Sequence, residues 1–404
     1  MRGTFLVVAL VSGALPANAQ HPVVQSIVDA TSIDSMVWNL ERLSGEQPVD
    51  VGAGAQTISS RHKLNSGNAL AADWLQQRLT DLGYSPSVQV FSGGTGENVI
   101  AVKPGTVHPG RKVIICGHFD AMPAGPVDAP AADDDGSGTV AVLEAARLFA
   151  PLQFENTVVF ALWDEEEQGK IGSAFFAAGA ASNDDTLIAV VNMDAISYDG
   201  DGDDLMRIHT KPIANSIALK DTAVMANTLY GIDLPIAINN PGATYSDHAS
   251  FWTEGYSAIL VIEDFDNDGN PHYHTPTDRI AYIDLPYFRR LAQLSFATTA
   301  IMAIPYDPGS VVAEIPPTTT RASAFPVPTL RTATVVVENA EGEALDVQVL
   351  DAMGRALPVP VDHTNGAHTH AFSLDLGALP PGSYRALVRS TGRMIASLPV
   401  IKAP

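Results

Sequence analysis

Residues 157–167, TVVFALWDEEE, run from a threonine through six apolar residues into four consecutive acids. An apolar run of this length without alternation fits a strand buried on both faces, and the change at Asp164 sets the acids just beyond its carboxyl end. Three more stretches are built alike: 112–120 KVIICGHFD, 187–194 LIAVVNMD and 257–264 SAILVIED. Around them lie helical patterns, SGTVAVLEAARLFA from Ser137, GSAFFAAGAA from Gly172, ANSIALKDTAVMANTLYG from Ala214 and LPYFRRLAQLSFATTAIMAI from Leu285. Strands alternating with helices predict an α/β fold, a mostly parallel mixed sheet sandwiched by helices. In such sheets ligands gather beyond the carboxyl ends of the strands, so the polar residues that end these runs are candidates for one shared site.

Upstream, apolar residues recur at helical spacing over 24–45 and again over 68–83, where Gly83 is the expected C-cap; SVQVFSG from Ser87 and NVIAVKPGT from Asn98 alternate as strands do. The first twenty residues hold one arginine, the apolar run Thr4–Leu15 and the small-residue site Ala17-Asn18-Ala19. That pattern predicts a secretory signal peptide, residues 1–19, cut before Gln20 and leading to an extracellular or cell-surface location. The run is shorter than the roughly 20 residues a membrane span needs, and no later stretch predicts a span in the mature chain. Residues 20–305 read as one catalytic body in which 20–52 are a candidate pro-region. Prolines and threonines over 306–325 predict a linker, and the short Gly- and Pro-broken strands of 326–404 predict a small β-sandwich.

The chain of 404 residues carries a formal net charge of −22. Beyond residue 325 acids outnumber bases by only seven to six, so nearly all of the excess lies in the first 325 residues. Such a balance argues against nucleic acid or anionic membrane surfaces as partners. The one cysteine, Cys116, permits no intrachain disulfide, and its apolar neighbours predict an inert core thiol.

Taken in order, the strand ends supply His118 and Asp120, Asp133 to Asp135, Asp164 to Glu167, Asp194, and His272 and His274. Imidazole and carboxylate suit Zn²⁺ where cysteine is lacking, and a pair of zinc ions needs a carboxylate that bridges them. Asp120, two residues after His118, is placed to orient it. Singly, a residue of this kind is far more often a turn residue or helix cap than a ligand: DDDGSG before an apolar helix is a good N-cap sequence, and DEEEQG a plausible exposed loop. The specificity lies in the ordered set.

The series GHFD, ADDDGSG, DEEEQGKIGS, NMD, SDHASF and YHTPTD resembles the M28 family of co-catalytic zinc aminopeptidases over about residues 99–305. The resemblance implies an α/β core and two Zn²⁺ held by His118, Asp134, Glu167, Asp194 and His274, with Asp134 bridging. It also implies Glu166 as general base, Asp120 as the partner of His118, and hydrolysis of N-terminal residues from peptides or proteins. Gly169 fixes the register of the acidic run; Glu165 departs from the family pattern and is expected to face solvent. Tyr245, in TYSDHASFW, is a candidate for steadying the oxyanion, and Asp247 beside it reads as a cap or as part of the site.

Other features stay open at this level. DFDNDG from Asp264 opens like a calcium loop, but Thr275 at its twelfth position excludes an EF-hand, while YDGDGDD from Tyr198 is either an acidic turn or a Ca²⁺ site. Phe251 and Trp252 are expected in the core. VQVLDAMGRAL with SLDLGALPPGSYRALV resembles the C-terminal sorting domains of type IX secretion, implying secretion machinery as a partner. The alternative functions are a related carboxypeptidase or dipeptidase, a single-zinc glutaminyl cyclase and, from a different class, a non-enzymatic binding ectodomain.

Overall fold

The structure is a computed structural model that describes residues 20–306, 321–326, 329–338, 345–351, 356–365, 369–390 and 393–403. The expected signal peptide and most of the expected linker lie outside the described residues. The chain divides into two compact units, one of them Gln20–Tyr306 and the other drawn from the C-terminal residues.

The first unit opens with three helices, α1 (Pro22–Asp29), α2 (Ile33–Leu43) and α3 (Ser66–Asp81). The continuous helical spacing over 24–45 is thus split, because Ser32 takes an extended conformation and its hydroxyl accepts the Ser35 amide to start α2. At the end of α3, Gly83 sits at φ +90°, and the Tyr84 amide donates back to the Leu79 carbonyl, a closure glycine permits at low cost. Then follow β1 (Ser87–Phe91), β2 (Gly96–Lys103), β3 (His108–His118), α4 (Gly136–Phe149), β4 (Asn156–Trp163), α5 (Ile171–Ser182), β5 (Thr186–Met193) and β6 (Met206–His209). The unit ends with α6 (Ser216–Leu229), β7 (Ile236–Asn239), α7 (His248–Thr253), β8 (Ala258–Glu263) and α8 (Leu285–Ala303).

The eight strands form one mixed sheet in the order β1-β2-β4-β3-β5-β8-β6-β7. Its centre, β4-β3-β5-β8, is parallel. Alternation along the central strands sorts side chains to the two faces. Val113 and Ile115 of β3, with Val158, Phe160 and Leu162 of β4, join the core shared with α1, α2, α4 and α8. Ile114, Cys116, Val159, Ala161 and Trp163 point the other way, into a second core with Ala177 of α5 and with Phe251 and Trp252 of α7. Helices on both faces explain the apolar runs without alternation. Because β3, β4, β5 and β8 run the same way, His118, Trp163, Met193 and Glu263 all lie at one end of the sheet.

The C-terminal unit has two four-stranded antiparallel sheets. One holds β9 (Arg321–Phe325), β10 (Thr332–Glu338), β13 (Val361–Asn365) and β14 (Thr369–Asp375); the other holds β11 (Leu345–Leu350), β12 (Ala356–Leu357), β15 (Gly382–Ser390) and β16 (Arg393–Lys402). Val335 and Phe372 from one sheet meet Val349 and Val388 from the other in a common core. Residues 321–325, assigned to the linker by composition, form β9 instead. Their register against β10 packs Ala322 and Ala324 onto that core. Of the sorting-domain motifs, residues 352–355 lie outside the described residues.

Candidate metal centre

β3 ends at His118, and the chain returns through the acidic cluster into α4. The approach is close: a Cβ on Gly117 would stand 2.6 Å from Asp135 Oδ2, so only glycine fits there. The three acids have separate tasks. Asp135 caps α4, accepting the Gly138 amide at 2.9 Å, and also takes the amides of His118 at 2.9 Å and Ala195 at 3.2 Å. Asp133 accepts from the Ser197 amide at 3.0 Å and hydroxyl at 2.6 Å and from Asn270 at 2.9 Å. Asp134, joined to Asp135 by a cis peptide, stands between two imidazoles: its Oδ1 lies 3.3 Å from His118 Nε2 and its Oδ2 lies 3.1 Å from His274 Nε2.

Around Asp134 the atoms form two sets. His118 Nε2 lies 3.6 Å from Asp194 Oδ1, and His274 Nε2 lies 2.9 Å from Glu167 Oε2. Asp135 also comes near His118 and Asp194, but its oxygens are taken up by backbone amides, which leaves Asp134 as the shared donor. Asp134 Oδ2, Glu167 Oε1 and His274 Nε2 are buried without a hydrogen-bond partner. Buried carboxylates beside imidazoles, with polar atoms left over, are costly unless a cation completes them. The donor set is therefore what one or two zinc ions require.

Asp120 organises the centre from beneath. Its Oδ1 lies 3.3 Å from His118 Nδ1, so a proton on Nδ1 faces the carboxylate and the Nε2 lone pair faces Asp134 and Asp194. The same carboxylate accepts the amides of Glu166 at 3.0 Å and Glu167 at 3.1 Å. The turn closes when the Glu166 carbonyl accepts from Gly169 at 2.8 Å and Lys170 at 2.7 Å, with Gly169 at φ +108°. Glu166 thereby lines a cavity of about 200 Å³ together with Asp134, Glu167, Asp194 and Tyr245. Burial pushes the Glu166 carboxyl well above the ordinary carboxylate range, against the pull of the His118 imidazole.

The remaining acids of the run are buried too. Asp164 accepts from Asn68 at 2.8 Å and from the amides of Glu97 at 3.0 Å and Glu165 at 2.9 Å. Glu165, expected to face solvent, does not: it is fully buried, accepts the Ser92 hydroxyl at 2.8 Å and pairs with Lys63 at 3.4 Å. Its backbone has a positive φ of 57°, and its side chain lies between Ser92 of the β1–β2 turn and Lys63 of the segment before α3.

Tyr245 lines the same cavity, and its hydroxyl lies 3.2 Å from His209 Nε2. His209 Nδ1 accepts the Ala243 amide at 3.0 Å, and burial lowers the pKa of the ring. A neutral imidazole that accepts at Nδ1 carries its proton on Nε2, so His209 donates to the Tyr245 oxygen and leaves the phenolic proton free for another acceptor. Asp247 does not cap α7: its side chain makes no cap hydrogen bond and is buried, and burial raises its pKa to about 7 against the pull of the His118 imidazole. His272 is not brought to the centre; its Nδ1 contacts Thr277 Oγ1 at 2.8 Å, and its ring stacks on Tyr282.

The acidic turns are internally bonded. Asp264 and Asp266 pair with Arg207, and Asp268 accepts the amides of Gly200 and Asp201. Asp199, Asp201 and Asp203 cluster but accept amides of their own loop.

Three supporting residues went unassigned in the sequence. Asp278 accepts the amides of Asp133 at 3.0 Å and Asp134 at 3.1 Å, fixing the loop that carries Asp134. Arg61, fully buried, donates to the carbonyls of Leu43, Phe119, Pro130 and Ala131, tying α2 to both sides of the centre. His209 is the third. Asp278 had a visible signal, four residues after His274 in YHTPTD; Arg61 and His209 had none.

The family model for peptidase family M28 matches residues 98–299, half of the chain. A probable leucine aminopeptidase of Trichophyton verrucosum is 28% identical over 306 residues, which cover 71% of this chain and 80% of that protein. The fold is similar to the LapA aminopeptidase of Legionella pneumophila, with a TM-score of 0.60 and 21% identity over 70% of this chain and 75% of that one. It is also similar to the glutaminyl cyclase of Bacteroides thetaiotaomicron, with a TM-score of 0.53 and 17% identity over 66% of this chain and 97% of that one. The ordered ligand-type residues at one end of the sheet and the match across all of them lead to one conclusion: the chain belongs to peptidase family M28.

Proposed function

We propose that the protein is a dizinc aminopeptidase that removes apolar N-terminal residues from peptides. The observation that carries this reading is the Asp134 carboxylate standing between His118 and His274, with Asp194 and Glu167 completing a donor set on either side. His118, Asp134 and Asp194 would hold one ion, and Asp134, Glu167 and His274 the other. When bound, a zinc pair supplies Lewis acidity, which acidifies water and polarises the scissile carbonyl.

The rest is the work of the chain. Glu166, fixed through its amide by Asp120, takes the proton of the attacking water and returns it to the leaving amine. Tyr245 directs its hydroxyl proton, left free by His209, toward the carbonyl oxygen as charge develops there. Ile262, Phe265 and Tyr273 give the 200 Å³ cavity an apolar wall for the N-terminal side chain, and the acids opposite attract a free ammonium group. The likeness to a leucine aminopeptidase supports the same preference. Calcium has no part in this reading, since the carboxylates of the acidic turns already bond arginine or backbone amides.

The test is a panel of free and N-blocked aminoacyl nitroanilides with and without a chelator. Free leucyl substrates should be hydrolysed and the activity lost on chelation. Hydrolysis of blocked substrates alone would overturn the reading, and one zinc per chain with cyclisation of N-terminal glutamine would replace it by the cyclase. We propose further that residues 1–19 direct export and that the C-terminal unit engages secretion machinery. Both rest on sequence patterns, and N- and C-terminal sequencing of exported protein tests them.

A further inference from the structure

A second, larger cavity is built in part from the chain segments that carry Glu166 and Tyr245. It has a volume of about 520 Å³ and is lined by Gly169, Lys170, Lys211, Thr244 and Trp252 among others. Two of its walls continue those of the metal-site cavity: Gly169 and Lys170 follow Glu166 and Glu167, and Thr244 precedes Tyr245. The Lys170 amide is bonded to the Glu166 carbonyl at 2.7 Å, so its position is tied to that of the proposed base.

The charge of this cavity is at odds with the chain. Among seven lysines in a protein of net charge −22, five have a partner: Lys63 pairs with Glu165, Lys112 with Asp185 and Lys220 with Asp221, while Lys103 and Lys402 donate to carbonyls. The ammonium groups of Lys170 and Lys211 engage no acid or carbonyl among the described residues, and both face this cavity. Lys211 Nζ lies 5.9 Å from the centroid of the buried Trp252 ring, which forms part of the lining. Lys170 is also the N-cap residue of the 12-residue helix α5, whose first amides, those of Ile171 and Gly172, are bonded to the carbonyls of Glu165 and Asp164, so the positive charge offered to this space is that of the two lysines. Glu254 also lines the cavity; it is exposed and pairs with neither lysine within 4 Å.

We propose that this cavity is a carboxylate subsite for the leaving portion of the peptide, with Lys170 and Lys211 as its specificity-determining residues. The identity of the ligand rests on the aminopeptidase reading. A substrate whose N-terminal side chain fills the apolar cavity must carry the remainder of its chain out of the centre, and the chain segments that hold Glu166 and Tyr245 run directly into the lining of this second cavity. A carboxylate there, whether the C-terminus of a short peptide or an acidic side chain, neutralises the two lysines. The contact is made equally in ground and transition states, so it acts on KM and not on kcat.

The experiment compares leucyl nitroanilide, Leu-Ala-Ala as free acid and as amide, and Leu-Asp-Ala amide on the zinc-loaded protein and on K170M, K211M and the double variant. The acid should have a KM about three- to tenfold below the amide, as two ion pairs at a partly open site give, with the gap closing in high salt. The double variant should bring the acid to the level of the amide while nitroanilide and amide kinetics stay unchanged. A gain by Leu-Asp-Ala amide alone would assign the subsite to an acidic side chain, and a gain by the free acid alone to the C-terminus. Equal KM for all peptides, or a preference that survives the double variant, overturns the proposal. Should wild type hydrolyse none of these, the aminopeptidase reading fails separately. Calorimetric binding of the acid and the amide then decides the subsite: tighter binding of the acid, lost in the double variant, supports it, and equal binding overturns it.

Discussion

Asp120 accepts the amide proton of Glu166 at 3.0 Å, and its carboxylate also takes the Glu167 amide and faces His118 Nδ1. One buried side chain thus sets the turn that carries the proposed base and the tautomer of a proposed ligand.

Asp120→Asn replaces an acceptor by a donor that confronts an amide N–H or the imidazole N–H. We expect zinc affinity to fall by about ten- to a hundredfold, the usual effect of losing an outer-shell partner, with kcat/KM at saturating zinc also reduced. Competition with a chromophoric chelator and steady-state kinetics check both. Unchanged affinity would remove Asp120 from this role.

Asp278→Ala strands the buried amides of Asp133 and Asp134. An unsatisfied buried donor costs about 1–3 kcal/mol, so with two donors stranded the variant should lose about 2–6 kcal/mol and melt several degrees lower with zinc present. Thermal unfolding monitored by circular dichroism measures this. A wild-type melting temperature would show that water replaces the carboxylate.

The metal-free protein should lose stability as pH rises from about 5 to 9. Burial raises the Glu167 and Asp247 carboxyls to about 7, so the folded state keeps protons that the unfolded chain has released, and ionising them costs stability between about pH 4 and 7. Burial opposes charge on His274, but bonding to Asp134 and Glu167 outweighs it and raises the imidazole to about 10, which extends the loss beyond pH 7. Asp134 is shifted the other way, and its contribution is already complete above about pH 4. Zinc needs the deprotonated groups, so the stabilisation it provides should grow over the same window. Melting temperatures with chelator and with zinc at pH 5 and pH 8 test this; a gap that narrows with pH would contradict it.

The strands and the ligand-type residues were legible because burial on both faces removes alternation and leaves polar residues only at the strand ends. His118 and Asp194 stand out for that reason, whereas Asp134 before α4 and His274 in the loop after β8 end no strand and are marked only by the ordered motifs around them, as Gly169 marks the register of Glu166 and Glu167. The burial of Glu165 is not legible because sequence shows an acid among acids; its contacts with Ser92 and Lys63 exist only once the β1–β2 turn and the segment before α3 pack against it. Arg61 and His209 escaped notice because they act on backbone carbonyls and on a tyrosine far away in sequence, which no local pattern encodes. The 321–325 segment looked like linker because alanine and serine carry little strand signal, and pairing with β10 overrode composition.

The central claim is that Glu166 moves the proton while the neighbouring residues hold metal, and Glu166→Gln tests it most directly because the amide keeps the shape and loses the base. Zinc content by mass spectrometry should remain at two per chain while kcat on leucyl nitroanilide falls by about a hundredfold or more, the size expected for a positioned general base. A variant with two zinc ions and wild-type kcat would contradict the account.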